Sequence, residues 1–171
     1  SLCAWSNSKS LKELDNKGFN LQIIAQLSRL GSGSACRSLL DGYIIWKRNN
    51  HYQDQNIRQL FPKNHWQLAN TILIVSTKPK KISSSQGHML APTSPLFNVR
   101  LASLKEKQYS LLDALKNKNI KQLGEIIESE ALEMHAIMMS SKEHINYFEK
   151  DTSKILAWIR EIRIYKKLQI Y

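Results

Sequence analysis

Cysteine is scarce in this sequence, and so are proline and glycine. The 171 residues include two cysteines, four prolines and six glycines. Cys3 and Cys36 cannot build the disulfide framework on which small secreted domains depend, and neither stands at zinc-ligand spacing with another ligand. The cysteine content therefore favours a reducing, cytoplasmic setting and predicts no metal site.

Long apolar runs are also missing. No stretch approaches the roughly 20 residues that a membrane-spanning helix needs, and no signal-peptide pattern stands at the start. The hydrophobic fraction is nevertheless 42%, which is enough to build a core in one domain or two small ones. The composition argues against both a membrane-spanning and a disordered chain.

Acidic residues are too few to balance the basic ones. The chain has 25 lysines and arginines against 14 acidic residues, a formal net charge of +11. Such an excess attracts anions in general, including nucleic acid, acidic lipids and phosphorylated metabolites. Because no helix carries a basic stripe with interleaved aromatic residues, the charge favours an anionic ligand only weakly. A basic nucleic-acid-binding module is a remote alternative.

Hydrophobic periodicity predicts a mixture of helices and strands. Helices follow strands without the strict alternation of βαβ units, which is typical of the α+β class. A domain boundary is predicted near residue 65, giving domains 1–65 and 66–171. The predicted helices are 21–30 with Asn20 as N-cap, about 34–40, one from 99 to between 116 and 119, one carrying 120–134 and one starting at the capping residues 151–153. The predicted strands are 43–46, a doubly buried 71–76 and the start of one at 168–171.

The stretch richest in chemical signals is GSGSACRSL, residues 31–39. Its glycines allow a close backbone approach to a ligand, and Leu39 and Leu40 predict a loop that turns into a helix near Ser34. The N–H groups of a helix start bind anions, and the planar fork of Arg37 matches a carboxylate or a phosphate. On chemistry alone two interpretations stay open, an anion site or a serine-capped helix with a surface arginine.

A second candidate is the serine run Ser83-Ser84-Ser85, which follows Lys80 and Lys81. Hydroxyls and backbone amides at a strand end hold phosphate oxygens. A solvated polar turn is the ordinary alternative.

The remaining titratable residues assemble no recognisable catalytic site. The five histidines stand at no metal-ligand spacing, and His135, on an apolar helix, is predicted to be a packing residue. No nucleophile, base and orienting acid can be combined. Four glutamates on a predicted helix are expected to form solvated faces: Glu125, Glu128, Glu130 and Glu133.

The region around Arg37 resembles the diphosphomevalonate decarboxylase family. Residues 29–39, RLGSGSACRSL, followed by Gly42, Tyr43 and Trp46, carry the most specific similarity. The resemblance spans roughly residues 25–160 and is poor over 49–65 and 138–150. Further similar stretches follow in the family's order: 73–76, 80–81, 83–87, 93–94, 97, 133–136, 151–154 and 158.

This resemblance implies a fold and a reaction. The family belongs to the GHMP kinase superfamily, with two α+β domains, so 1–65 would end the N-terminal domain and 66–171 would form most of a helix-rich C-terminal α/β sandwich. The implied enzyme is a lyase of the mevalonate pathway that uses ATP and Mg²⁺. It phosphorylates the tertiary hydroxyl of (R)-5-diphosphomevalonate and releases ADP, phosphate and CO₂ to give isopentenyl diphosphate. The alternatives on the same fold are a phosphomevalonate decarboxylase and a mevalonate 3-kinase.

The resemblance also implies a substrate site within the chain. Arg37 and Ser34 would bind the substrate carboxylate, Ser32 and Gly33 would help to seat the substrate, and Ser84 and Ser85 would hold the diphosphate. The catalytic Asp would follow Tyr171 and the ATP phosphate loop would precede Ser1, so the chain is expected to be a central piece that binds ATP poorly and lacks turnover. The family further implies a cytoplasmic homodimer without a nucleic-acid or membrane partner.

Overall fold

The structure, a computed structural model, describes residues 20–32, 34–48, 55–79 and 81–171. The chain divides into two units, Ser1–Asn70 and Thr71–Tyr171. Each unit has its own cluster of buried apolar residues. The domain limits 1–65 and 66–171 stay a prediction. Along the chain, the division between the two units falls between Asn70 and Thr71.

The first unit combines short helices with a hairpin. Helix α1 covers Leu21–Gly31, and the side chain of Asn20 accepts a hydrogen bond from the Ile23 N–H at 3.0 Å. The predicted helix and its N-cap are therefore confirmed. Strands β1 and β2 pair antiparallel, with Trp46 opposite Ile57. A 3₁₀-helix, Ala35–Leu39, precedes the two strands. Strand β1 covers Tyr43–Arg48 and strand β2 covers Gln55–Phe61.

The core of this unit joins α1, the 3₁₀-helix and β2. Its buried members are Ile24, Ala25, Cys36, Leu39 and Ile57. Cys36 and Ile57 are almost completely enclosed, at 0% and 2% exposure. The 3₁₀-helix is thus fixed to the core on both sides of Arg37.

Gly42 brings the chain into the hairpin where no other residue fits well. Its φ is +78°, and a Cβ at this position would lie 2.5 Å from the Phe61 carbonyl oxygen. Both the positive φ and the close approach favour glycine. Gly42 therefore sets the start of β1 against the end of β2.

The second unit is helical in its described secondary structure. A 3₁₀-turn, Ala91–Thr93, separates the first two of its α-helices. The long helices α3 (Phe97–Asn117) and α4 (Ile120–Ser140) are linked through Lys118 in the left-handed region. They run antiparallel, because Arg100 bonds to Glu130 and the Ser110 carbonyl lies within reach of Gln122. The helices are α2 (Ser84–Leu90), α3 (Phe97–Asn117), α4 (Ile120–Ser140) and α5 (Lys150–Lys166).

The start of α5 differs from the prediction. The helix begins at Lys150, with Glu149 in the N-cap position and a reciprocal contact to Thr152. The predicted caps, residues 151–153, lie inside the first turn. The Glu149 N–H donates to Thr152 Oγ1 at 3.3 Å, so Thr152 supports the start of the helix from inside the first turn.

The strand predicted at 71–76 is wrong. These residues form no ladder, and Ile72 and Ile74 are 81% and 78% exposed. A strand requires hydrogen bonds to a neighbour, and the sheet among the described residues contains only β1 and β2. The strand start predicted at 168–171 is likewise irregular.

Ion pairs join α3 to α4, so the prediction of solvated glutamates fails for most of the set. Lys107 Nζ lies 2.9 Å from Glu130 and 2.5 Å from Glu133, and Arg100 pairs with Glu130 at 2.5 Å. Desolvation of Lys107 is outweighed by its hydrogen bonds to Glu133 and Glu130, which raise the pKa of its ammonium. Glu125 is exposed as expected.

Across the described ranges, no helix has the combination of length and apolar character that a bilayer crossing demands.

Candidate functional site

Residues 31–39 present a short, anchored display of polar groups in the first unit. Ser32 terminates α1, and its carbonyl accepts the Ala35 N–H at 3.0 Å. The Ser34 carbonyl accepts the Arg37 N–H at 3.1 Å. Gly33 lies outside the described residues. These turns bring the side chains of Ser32, Ser34 and Arg37 onto one short segment.

The helix predicted from Ser34 is a five-residue 3₁₀-helix, and Ser34 makes no side-chain cap bond to it. Cys36 and Leu39, three positions apart, are both buried in the core, which is compatible with three residues per turn. The segment is therefore a 3₁₀-helix and not the predicted ordinary helix, and the anion site at this point stays a prediction. The chemistry of the segment rests on side chains instead.

Arg37 is exposed, with the buried Cys36 directly before it and the buried Leu39 two positions after it. Among the described carboxylates, none forms an ion pair with its guanidinium. Arg29 differs, because its guanidinium lies 4.3 Å from the ring centroid of Trp46. Arg37 therefore presents its fork to solvent from a backbone that the core holds in place.

The predicted serine loop of the second unit is the beginning of a helix. Ser83 is the N-cap of α2: its Oγ accepts the Gln86 N–H at 3.3 Å, and Gln86 Oε1 accepts the Ser83 N–H at 3.0 Å. This capping box occupies the Ser83 hydroxyl. Ser84 and Ser85 form the exposed first turn, with the exposed Lys81 just before it. Lys80 lies outside the described residues.

The far end of this segment is tied to the end of α4. Thr93 Oγ1 accepts the Lys142 N–H at 2.9 Å, and the Ser94 and Ser140 hydroxyls are 2.7 Å apart. These contacts hold α2 and the following 3₁₀-turn against the second unit's core. Ser94 is 5% exposed, so its role is structural.

Sequence reasoning missed Tyr147, whose hydroxyl donates to the Ser83 carbonyl at 3.4 Å. The two residues are 64 positions apart. Nothing in the local pattern around Tyr147 signals this contact, and the stretch 138–150 resembles the family poorly. A contact map or covarying pairs could have revealed it.

The histidines contribute no reactive cluster to the described part of the chain. His135 packs its ring 4.1 Å from that of Phe148, in line with its prediction as a packing residue. No group of three or more potential metal ligands occurs among the described residues. A cavity of about 300 Å³ on the α3–α4 pair contains none of the predicted site residues.

Two family profiles match the chain. The profile described as the mevalonate 5-diphosphate decarboxylase C-terminal domain covers residues 70–170, and that of the diphosphomevalonate decarboxylase-like N-terminal domain covers 6–57. Together they include both the Arg37 segment and the first turn of α2.

Individual relatives agree with these profiles. The diphosphomevalonate decarboxylase of Debaryomyces hansenii is 30% identical over 148 residues, which cover 84% of this chain and 38% of the relative. The crystal structure of a mevalonate diphosphate decarboxylase from Legionella pneumophila is 27% identical with a TM-score of 0.68, over 88% of this chain and 45% of that one. MDDEF in complex with MVAPP, AMPPCP and magnesium is 23% identical with a TM-score of 0.75, over 87% and 46%.

The chain spans less than half the length of the relatives it matches. The structural likeness confirms the predicted α+β, GHMP kinase-like fold class, and the C-terminal profile alone covers more than half of the chain. This chain belongs to the mevalonate 5-diphosphate decarboxylase family.

Proposed function

We propose that the chain supplies the substrate-binding part of an ATP-dependent lyase of the mevalonate pathway. The reaction is the decarboxylation of (R)-5-diphosphomevalonate to isopentenyl diphosphate, with release of ADP, phosphate and CO₂. The observation that carries the proposal is the anchored, exposed Arg37, without a carboxylate partner in the described ranges, within a segment that belongs to this family. The relative MDDEF was solved with MVAPP, AMPPCP and magnesium, which supports ATP and Mg²⁺ as cofactors.

The Arg37 fork is proposed to bind the substrate carboxylate. A guanidinium donates two parallel N–H bonds to a carboxylate, which fixes its orientation as well as its position. Ser34 shares the carboxylate, and Ser32 and Gly33 seat the adjoining carbon skeleton. Because the carboxylate has to leave as CO₂, Arg37 orients it and does not itself break the bond.

Ser84 and Ser85 are proposed to hold the diphosphate. Both hydroxyls lie in the exposed first turn of α2, and the Ser83–Gln86 capping box fixes the backbone under them. A hydroxyl donates one hydrogen bond to a phosphate oxygen and rotates to suit it.

Binding at both ends accounts for the expected contribution to catalysis. Fixing the substrate leaves its tertiary hydroxyl in one orientation for phosphoryl transfer, and positioning supplies a large part of the barrier reduction in such reactions. None of the described residues is assigned a catalytic role. A cytoplasmic homodimer is part of the same proposal.

Isothermal titration of the chain with (R)-5-diphosphomevalonate, 5-phosphomevalonate and mevalonate tests this proposal. Arg37→Ala is expected to weaken the binding of all three ligands by about 30-fold or more, since a charge-assisted bidentate pair is lost. Ser84→Ala is expected to weaken only diphosphomevalonate, by about 10-fold. Arg58→Ala on β2 and Ser110→Ala on α3 are the matched controls.

Equal affinity for the mono- and diphosphate would contradict the diphosphate assignment and favour a phosphomevalonate enzyme. Tight duplex DNA binding with a steep dependence on salt, in place of binding to these ligands, would instead favour the nucleic-acid-binding alternative.

A further inference from the structure

We propose that Tyr147 is a positioning residue for the diphosphate end of the substrate. It fixes the distance between the first turn of α2 and the core of the second unit. At this distance Ser84 and Ser85 can contact the ligand. This inference rests on the proposed function for the assignment of the two hydroxyls. The contact itself, between Tyr147 and the turn, stands independently of that assignment.

Tyr147 contacts the turn at two points. Its hydroxyl donates to the Ser83 carbonyl at 3.4 Å, and it also faces Gly87, one turn further along α2. A Cβ built on Gly87 would lie only 2.7 Å from the Tyr147 hydroxyl oxygen and 3.4 Å from Met138 Sδ. Glycine therefore allows the tyrosine hydroxyl to approach the α2 backbone this closely.

Tyr147 is itself held firmly. Its ring packs against the buried cluster of Ala91, Ile137, Met138 and Ile145, and the ring of His135 meets it edge-on with centroids 6.3 Å apart. The hydroxyl is thus the polar end of a half-buried side chain whose ring packs against the core. Tyrosine suits this place because it combines an apolar ring with a hydrogen-bonding tip.

The turn needs such support from the core side. Residues 62–79 before it have no helix or strand, and Ser83, Ser84 and Ser85 are exposed. Hydrogen bonds weaken steeply as their heavy atoms separate, so a displacement of the turn by about 1 Å would largely remove the bonds from Ser84 and Ser85 to the ligand. The capping box fixes the conformation of the turn but not its position relative to the core. Tyr147 and Gly87 fix that position.

The test compares Tyr147→Phe with Tyr109→Phe in the 171-residue chain. Both changes remove one hydroxyl, but Tyr109 is an exposed residue of α3. Tyr147→Phe is expected to weaken the binding of diphosphomevalonate by about 3- to 10-fold, the effect of one hydrogen bond, and to leave the affinity for mevalonate unchanged. Tyr109→Phe is expected to change neither. A general loss of folded protein would weaken both ligands equally, so the selectivity separates positioning from stability.

Gly87→Ala probes the same contact from the other side. The added methyl group is expected to push the turn away from the Tyr147 hydroxyl and to weaken diphosphomevalonate by at least 10-fold. Adding Tyr147→Phe to Gly87→Ala removes the oxygen that the methyl group meets. The double variant is therefore expected to bind diphosphomevalonate more tightly than Gly87→Ala alone, and additive losses would overturn the proposal.

Amide hydrogen exchange of the unliganded chain separates this inference from the proposed function. The amides of Gln86 and Gly87 are hydrogen-bonded to Ser83. Faster exchange at these two amides in Tyr147→Phe, with wild-type exchange in Tyr109→Phe, supports the positioning contact whether or not the ligand binds. A wild-type chain that binds diphosphomevalonate no better than mevalonate overturns the role of the turn in substrate binding and leaves the contact intact. Unchanged exchange and unchanged affinity in Tyr147→Phe overturn the positioning role alone.

Discussion

The guanidinium of Arg163 lies over the ring of Tyr171, 4.2 Å from its centroid. Its Nε donates to the Ile170 carbonyl at 2.8 Å, and a terminal nitrogen pairs with Glu128 at 2.6 Å. The Tyr171 ring rests on Gly124, where a Cβ would overlap with it. One arginine of α5 therefore joins α4 to the segment that follows α5.

Replacing Arg163 with lysine is expected to loosen this junction. Lysine keeps the charge but lacks the planar fork that serves the ring, the carbonyl and the carboxylate together. We expect a loss of about 1–2 kcal/mol in the opening free energy of α4 amides measured by hydrogen exchange. Arg160→Lys is the control, because Arg160 is 50% exposed and, within the described ranges, its one ion pair is with Glu128, so its loss should stay below about 0.5 kcal/mol. Equal losses would contradict the special role of Arg163.

Local signals predicted a large part of the fold. The cap at Asn20 and the hydrophobic periodicity of the helices both depend on contacts within a few residues, and α1, β1, α3 and α4 lie where these signals place them. The Arg37 segment was also found from sequence, because small residues beside an arginine form an unusual local pattern. The assignment of its substrate remains a prediction.

Non-local contacts account for the misses. Cys36 and Leu39 of the 3₁₀-helix are buried against α1 and β2, and Glu128 pairs with Arg163 across 35 positions. The apolar run 71–76 predicts a strand by composition, yet composition does not supply the neighbouring strand that a ladder requires. Residue spacing alone could not reveal these partners.

The stability of the second unit is expected to fall in acid as Glu128 loses its charge. Burial acts to raise the pKa of Glu128, but hydrogen bonds from Arg163 and Arg160 outweigh it, so the pKa lies below the ordinary 4.5. A carboxyl with a lowered folded-state pKa stabilises the fold above its unfolded-state pKa and loses this effect as pH falls through the folded-state value. We therefore expect Glu128→Gln to cost about 1–2 kcal/mol at pH 7 and progressively less below pH 4.5.

The free energy of unfolding in urea, measured for both proteins at a series of pH values, gives this difference. Hydrogen exchange of the α4 amides assigns it to the second unit. Glu125→Gln provides the control, since Glu125 is exposed on the same helix and should show no such pH dependence. A Glu128→Gln cost that stays constant from pH 7 to pH 3 would show that the ion pair does not stabilise the unit.

The fork of Arg37, rather than its charge, is expected to determine carboxylate binding. Arg37→Lys keeps the charge and the anchored 3₁₀-helix but loses the two parallel N–H bonds. We expect about 10-fold weaker binding of both mevalonate and diphosphomevalonate by isothermal titration. Arg58→Lys, an exposed position of β2, should leave both affinities unchanged. Full affinity in Arg37→Lys would indicate general electrostatic attraction in place of a bidentate contact.

The exposed run around Ile74 is expected to drive self-association of the chain. Ile72 and Ile74 are 81% and 78% exposed, and an exposed β-branched run whose backbone is unpaired promotes edge-to-edge pairing between molecules. Ile74→Lys should therefore raise the concentration at which light scattering detects aggregates and leave the helical circular-dichroism signal unchanged. Leu30→Lys tests whether the unpaired backbone or the exposed apolar area causes the association. Leu30 is 85% exposed but lies in α1, whose backbone hydrogen bonds are made within the helix. If Leu30→Lys suppresses aggregation as strongly as Ile74→Lys, exposed apolar area and not the unpaired backbone is the cause.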